Sequence, residues 1–123
     1  MALTPQELKA RTRKFALRII RLFRALPKTA EAQIIGKQLL RSGTAVAANY
    51  RATCRARSRA EFLARIGVVV EEADETVFWM EMLTDSGTVP PARMQEIIRE
   101  AQELLAIFAA SQRTVRARAS MTR

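Results

Sequence analysis

From Phe62 to Met80 the apolar residues recur in steps of four and three: Phe62, Ile66, Val69, Ala73, Val77 and Met80. This is the knobs-into-holes rhythm of packed helices, and an alternating strand cannot satisfy it. Ser58-Arg59-Ala60-Glu61 stands before the run as a capping box, and Ser86-Gly87 closes it, Gly87 being suited to a left-handed cap. Three other segments carry the same punctuation. Thr4-Pro5-Gln6-Glu7 is a capping box with Pro in the first turn, and its helix should run to Leu26, where Pro27 stops it. Leu8, Phe15, Ile19, Leu22 and Leu26 make its apolar stripe. Another helix begins near Thr29 or Ala30. Pro90-Pro91 opens the last, with Met94, Ile97, Ala101, Leu105 and Phe108. No segment of period two competes, and short loops join helices of similar length. The expected fold is all-α: an antiparallel up-down four-helix bundle over residues 1–112. The polar, basic stretch 113–123 reads as a flexible tail.

The second helix holds an unusual stretch, LLRSGTAVAANYRATCRAR, from Leu39 to Arg57. At about 100° per residue, Ile35, Leu39, Ser42, Val46, Asn49 and Thr53 share one face. Lys37, Arg41, Thr44, Ala48, Arg51 and Arg55 share the opposite one. The stretch is therefore a helix with a core face and a basic back. Gly36 and Gly43 lie beside the core face, where a neighbouring backbone can come close. A phosphate loop is excluded, because Gly36-Lys37 is followed by Gln38 and Glu31 stands where that motif needs Gly. Ser42 and Asn49 on an apolar face are read as structural: Ser42 bonds back to its own helix, and Asn49 fixes helix register through a buried hydrogen bond.

Composition narrows the chemistry. The 123 residues contain no His and one Cys, Cys54, which excludes intrachain disulfides, His acid–base catalysis and nearly all zinc and haem designs. Di-iron bundle centres need Glu-x-x-His pairs, so the crowded acids Glu71, Glu72, Asp74 and Glu75 do not make one. Glu71, Asp74, Glu75, Glu81 and Asp85 point away from the core stripe. No nucleophile–base pair and no metal-ligand set is present, so neither an enzyme, a metal nor a cofactor is expected. Cys54 reads as an inert small residue at the edge of the core. The start MALTPQEL lacks the shape of a signal peptide and no apolar run spans a bilayer, so a cytoplasmic protein without a membrane partner is expected.

Charge is uneven along the chain. Residues 1–70 carry 15 Lys and Arg against three Glu, whereas 71–112 carry nine acids against Arg93 and Arg99. Such polarity implies a polyanionic partner and halves that attract each other. The candidate nucleic-acid-binding residues are Arg11, Lys14 and Arg18 on the first helix, Lys37, Arg41, Arg51 and Arg55 on the second, and Arg57 and Arg59 in the turn. Arginine outnumbers lysine, and its planar fork suits phosphate. Aromatic residues are few and mostly at core positions, so contact would be to backbone rather than bases.

The segments IGKQLLRSGTAVAANYRATCRARSRAEF and EEADETVFWMEML resemble the four-helix-bundle family named after 23S rRNA intervening sequences, from Phe15 to about Phe108. The resemblance implies small bundles that assemble as homopentamers without catalytic activity. Its Ser-Gly-Thr and Ala-Asn positions match Ser42, Gly43, Thr44, Ala48 and Asn49, which supports a structural role for them. A more distant relative is Avd, the accessory protein of diversity-generating retroelements, whose partners are a reverse transcriptase and nucleic acid. Three roles follow: a nucleic-acid-binding oligomer, an adaptor for a reverse transcriptase, or a self-assembling scaffold.

The residues also indicate how copies would join. Phe78 and Met82 lie opposite the third helix's core stripe among Glu71, Asp74, Glu75 and Asp85. Leu17 and Ile20 lie outside the first helix's stripe among Arg13, Arg21 and Arg24. An apolar pair ringed by acids and another ringed by bases are complementary surfaces, and joining them between copies is a heterologous contact that can close a ring.

Overall fold

The Thr4 N–H donates to Glu7 Oε1 at 3.0 Å while the Glu7 N–H donates to Thr4 Oγ1 at 3.1 Å. This reciprocal pair starts α1 (Pro5–Ala25), and Leu26 caps its other end in extended backbone before Pro27. Thr29 caps α2 (Ala30–Thr53), accepting from the Ala32 N–H at 3.3 Å. Ser58 caps α3 (Arg59–Asp85) through the Glu61 N–H at 3.0 Å. The return half of that box reaches one residue further back: the Glu61 carboxylate accepts from the Arg57 N–H at 3.3 Å. Gly87, at φ +77°, takes the left-handed turn after α3, and α4 (Pro91–Met121) follows.

These elements belong to a computed structural model that describes residues 3–121. Residues 1–2 of the first unit and of the leader reading, and 122–123 of the tail with its Arg123, lie outside them. Among the described residues the fold is four helices and no strand. One expectation changes: α4 does not stop at residue 112 but stays helical to Met121. Beyond Pro91 the chain has no Gly or Pro, and its Arg and Ala residues are good helix formers, so nothing local ends the helix.

α2 packs against α1 and α3, and α3 against α4, while α1 and α4 touch least. The predicted stripes fill the core, where Phe15, Ile19, Leu39, Ile66, Met80, Met94 and Phe108 are fully buried. On α4 the buried leucine is Leu104, with Leu105 only partly covered. On α2 the core face is rotated by about one residue from the expected stripe: Gly36, Gly43 and Tyr50 are buried, whereas Ile35 and Asn49 are half-buried.

The glycines show how tightly α1 and α2 meet. A Cβ on Gly43 would stand 2.9 and 3.0 Å from the two γ-carbons of Ile19, and one on Gly36 would stand 2.5 Å from Leu26 Cδ1. Across the α2–α3 seam, Thr76 Oγ1 donates to Ser42 Oγ at 3.0 Å, with both residues fully buried. The buried polar link between helices is therefore Ser42–Thr76. Asn49 instead donates to Ala45 O within α2 at 2.9 Å, so it does not set helix register as expected.

The neighbour decides what each glycine tolerates. Ile19 is β-branched and stiff, so Gly43→Ala is expected to destabilise by about 1–2 kcal/mol despite better helix propensity. At Gly67 a Cβ would meet only the tip of Gln112, at 3.5 Å. Gly67→Ala should therefore stabilise by roughly 0.5–1 kcal/mol. Urea unfolding of the two variants checks both signs, and equal effects at the two sites would contradict the packing account.

Candidate nucleic-acid interface

The basic surface divides into groups that are already paired and groups that are not. Arg11 leaves the α1 stripe and forks onto α4: its Nε donates to Glu100 Oε2 at 2.8 Å and its Nη2 to Glu100 Oε1 at 2.6 Å. Glu103 adds a third oxygen at 3.6 Å. These carboxylates raise the Arg11 pKa, chiefly through the Glu100 hydrogen bond. Arg41 spans α2 to α3, donating to Glu72 Oε2 at 3.0 Å and to Glu75. Both residues are expected from the sequence to hold nucleic acid. Both already pair with carboxylates, because α3 and α4 present acids along the seams these arginines border.

The remaining cations gather along α1 and α2. A groove of about 360 Å³ runs between these helices, lined by Lys9, Arg13, Ala16, Leu17, Thr44, Ala47, Ala48 and Arg51. Its floor is shallow because α2 carries Ala and Thr where other helices carry long side chains. A second recess of about 430 Å³ follows at the α2–α3 turn, lined by Ala52, Arg55, Arg57, Glu61 and Arg65. Arg65 pairs with Glu61 at 3.1 Å. Lys9, Arg13, Lys14, Arg18, Lys37, Arg51, Arg55 and Arg57 make no ion pair among the described residues. Arg18 is half-buried, and Lys14, Lys37 and Arg59 are exposed on their helices.

Lys9 in the groove and Arg65 in the second recess escaped the sequence reading. Lys9 lies four residues before Arg13, and that i,i+4 spacing was the available signal. Arg65 follows Glu61 at the same spacing. Arg13 and Leu17, expected at a contact between copies, also line this basic groove.

Of the other expected contact residues, Leu17 is 45% and Phe78 47% exposed, while Ile20 and Met82 are half-buried. Arg21, Arg24, Glu71 and Asp74 are exposed. Glu75 is not a free acid, since it accepts from Trp79 Nε1 at 2.9 Å as well as from Arg41. Phe78 is steadied by Trp79, ring centroids 4.9 Å apart and edge-on. Ile34, at 65% exposed, is a further apolar side chain on the outside of α2. Cys54 is exposed at the α2 C-cap rather than at the edge of the core, because the chain leaves the helix there.

The model of the 23S rRNA-intervening sequence protein family matches residues 6–110. The chain belongs to this family. A solved protein of unknown function from the S23 ribosomal protein family of Bacteroides thetaiotaomicron is 28% identical to it. The match covers 90% of this chain and 99% of that one, with a TM-score of 0.83. No curated protein matches the chain. The matched region ends at residue 110, whereas α4 continues to Met121. No helix among the described residues is long and apolar enough to cross a membrane.

The Glu75 cluster has a spectroscopic consequence. The Trp79 hydrogen bond first, and Arg41 next, hold the Glu75 carboxyl below its ordinary value of 4.5. A carboxylate with a lowered folded pKa supports the fold above the unfolded value, and that support is lost as pH falls through the folded one. Trp79 is the only tryptophan. Its emission should shift in acid with a midpoint below 4.5, and Glu75→Gln should abolish that step.

Proposed function

We propose that this chain is a non-catalytic RNA-binding protein that contacts the phosphate backbone and works as a ring of identical antiparallel, up-down bundles. The observation that carries the reading is the α1–α2 groove, where Lys9, Arg13 and Arg51 stand over a floor of small residues without carboxylate partners among the described residues. Arg55, expected on the back of the second helix, lies instead in the turn after α2 ends at Thr53, where it lines the neighbouring recess with Arg57. Unpaired guanidinium groups along a groove favour a linear polyanion, because each neutralised phosphate releases condensed counterion. The family's name associates it with ribosomal RNA genes, which favours RNA over other polyanions. Self-association draws on Phe78 and Leu17, exposed apolar side chains in acidic and basic surroundings respectively.

Filter binding over a salt series tests the phosphate reading. Affinity should fall steeply with salt, and the double reversal Arg51→Glu with Arg55→Glu should weaken unrelated RNA sequences about equally. The slope of log affinity against log salt should drop by roughly 0.7–0.9 for each phosphate that the variant no longer neutralises. Absence of binding to single-stranded or duplex RNA at low salt would remove the proposal. Light scattering tests assembly separately. Phe78→Glu should yield smaller species with helical circular dichroism retained, and a wild-type monomer at micromolar concentration would end the ring.

A further inference from the structure

The least-packed seam, between α1 and α4, opens at one end of the bundle into a groove of about 680 Å³. Leu3, Pro5 and Leu8 form one wall, Ile107, Ala110, Thr114 and Val115 the other, with Tyr50 and Phe62 at the base. A smaller recess of about 470 Å³ shares Pro5, Tyr50 and Phe62 and reaches Cys54 and Arg57 in the α2–α3 turn. The lining is mostly apolar and includes two aromatic residues, yet the rim is strongly cationic. Arg55 and Arg57 stand on the turn side, without an ion pair among the described residues. Ser111, Thr114, Val115 and Arg118 follow one another at helical spacing along α4, so Arg118 extends the groove-lining face by one turn. Arg113 and Arg116 are exposed on the same segment, and no acid follows Glu103 in the chain.

An apolar slot between phosphate-binding cations suits a ligand with flat, uncharged faces on an anionic thread. We infer that this end groove takes an unpaired base of single-stranded RNA, with flanking phosphates on Arg57 and the α4 arginines. The inference rests on the RNA-binding reading and adds to it: the groove selects unpaired over paired strands. Paired bases are stacked inside a duplex and cannot enter such a slot, whereas a splayed base can pack on Phe62 and Ile107. Ser111 and Thr114 offer hydroxyl groups to the base edge. Desolvation by burial, the largest influence, and a hydrogen bond with Cys54 raise the Tyr50 pKa, so the phenol stays protonated at the base of the groove. The α4 extension past residue 110 makes this site, since Ser111, Thr114 and Val115 build its wall.

Fluorescence anisotropy with a single-stranded RNA and a duplex of equal length, at the same salt, tests this. Wild type should bind the single strand about tenfold more tightly. Ala110→Trp, which fills the groove from an exposed position, should remove that preference while leaving duplex affinity and its salt slope unchanged. Thr114→Trp is the second filling variant, and unchanged helical circular dichroism shows that each has folded. Equal affinity of wild type for the two forms, or a preference that survives in both folded variants, overturns the groove but leaves backbone binding intact. Failure of wild type to bind either form overturns both readings together.

Discussion

The close approach of α1 to α2 sets the shape of the molecule. It is possible only because α2 carries Gly43 where Ile19 arrives and Gly36 where Leu26 and Phe23 arrive. The same helix must also meet α3, and there the buried Ser42 and Thr76 hydroxyls satisfy each other instead of leaving a polar atom stranded. A helix thin enough to be shared in this way has a consequence on its outer side. Thr44, Ala47 and Ala48 leave the α1–α2 seam shallow, so cations from both helices border one groove instead of two separate ridges. The packing constraint and the candidate binding surface are thus two faces of one choice of small residues.

Charge does two jobs in this bundle, divided by position. The acids of α3 and α4 draw selected arginines across seams, Arg11 to Glu100 and Arg41 to Glu72 and Glu75. Partly exposed pairs such as Arg41's contribute modest net stability, while a two-point fork such as Arg11's fixes geometry more firmly. Among the described residues, the cations without an ion pair lie along α1, the back of α2, the α2–α3 turn and α4. The positive charge is therefore not spread evenly: some arginines are paired in the seams, and the others gather where α1 and α2 face solvent and again along the end of α4.

Caps, stripes and helix ends were legible because they depend on local geometry. Thr4, Thr29, Ser58 and Gly87 act where their residue types imply. The end of α4 was not legible, since a basic, polar composition resembles a tail even when no residue in it breaks a helix. The site was legible as a set of cations but not as a set of free ones. Arg11 and Lys14 look alike on a helical wheel, and only the position of α4 decides that Arg11 meets Glu100. Asn49 was similarly ambiguous. Periodicity places it toward the core, yet a rotation of the face toward Gly36, Gly43 and Tyr50 leaves it half-buried and bonded to Ala45.

The weak α1–α4 seam follows from the same logic. Where α1 meets α2, small residues allow backbone proximity; between α1 and α4 the link in the middle is a charged fork. A half-buried ion pair holds two helices in register at a fixed distance, but it does not draw them together as a buried apolar row does, because its desolvation offsets much of its attraction. Beyond Arg11 toward the α1 start, Leu8, Pro5 and Leu3 face Ile107, Ala110 and Val115 across a gap they do not fill. Closing it would bury more apolar area, at roughly 25 cal/mol for each Å². The pull of that uncovered surface therefore acts against a spacing set by the Arg11–Glu100 fork on one side and the capped start of α1 on the other. A seam held apart in this way is a preformed cavity, ready for an apolar guest without first separating packed helices.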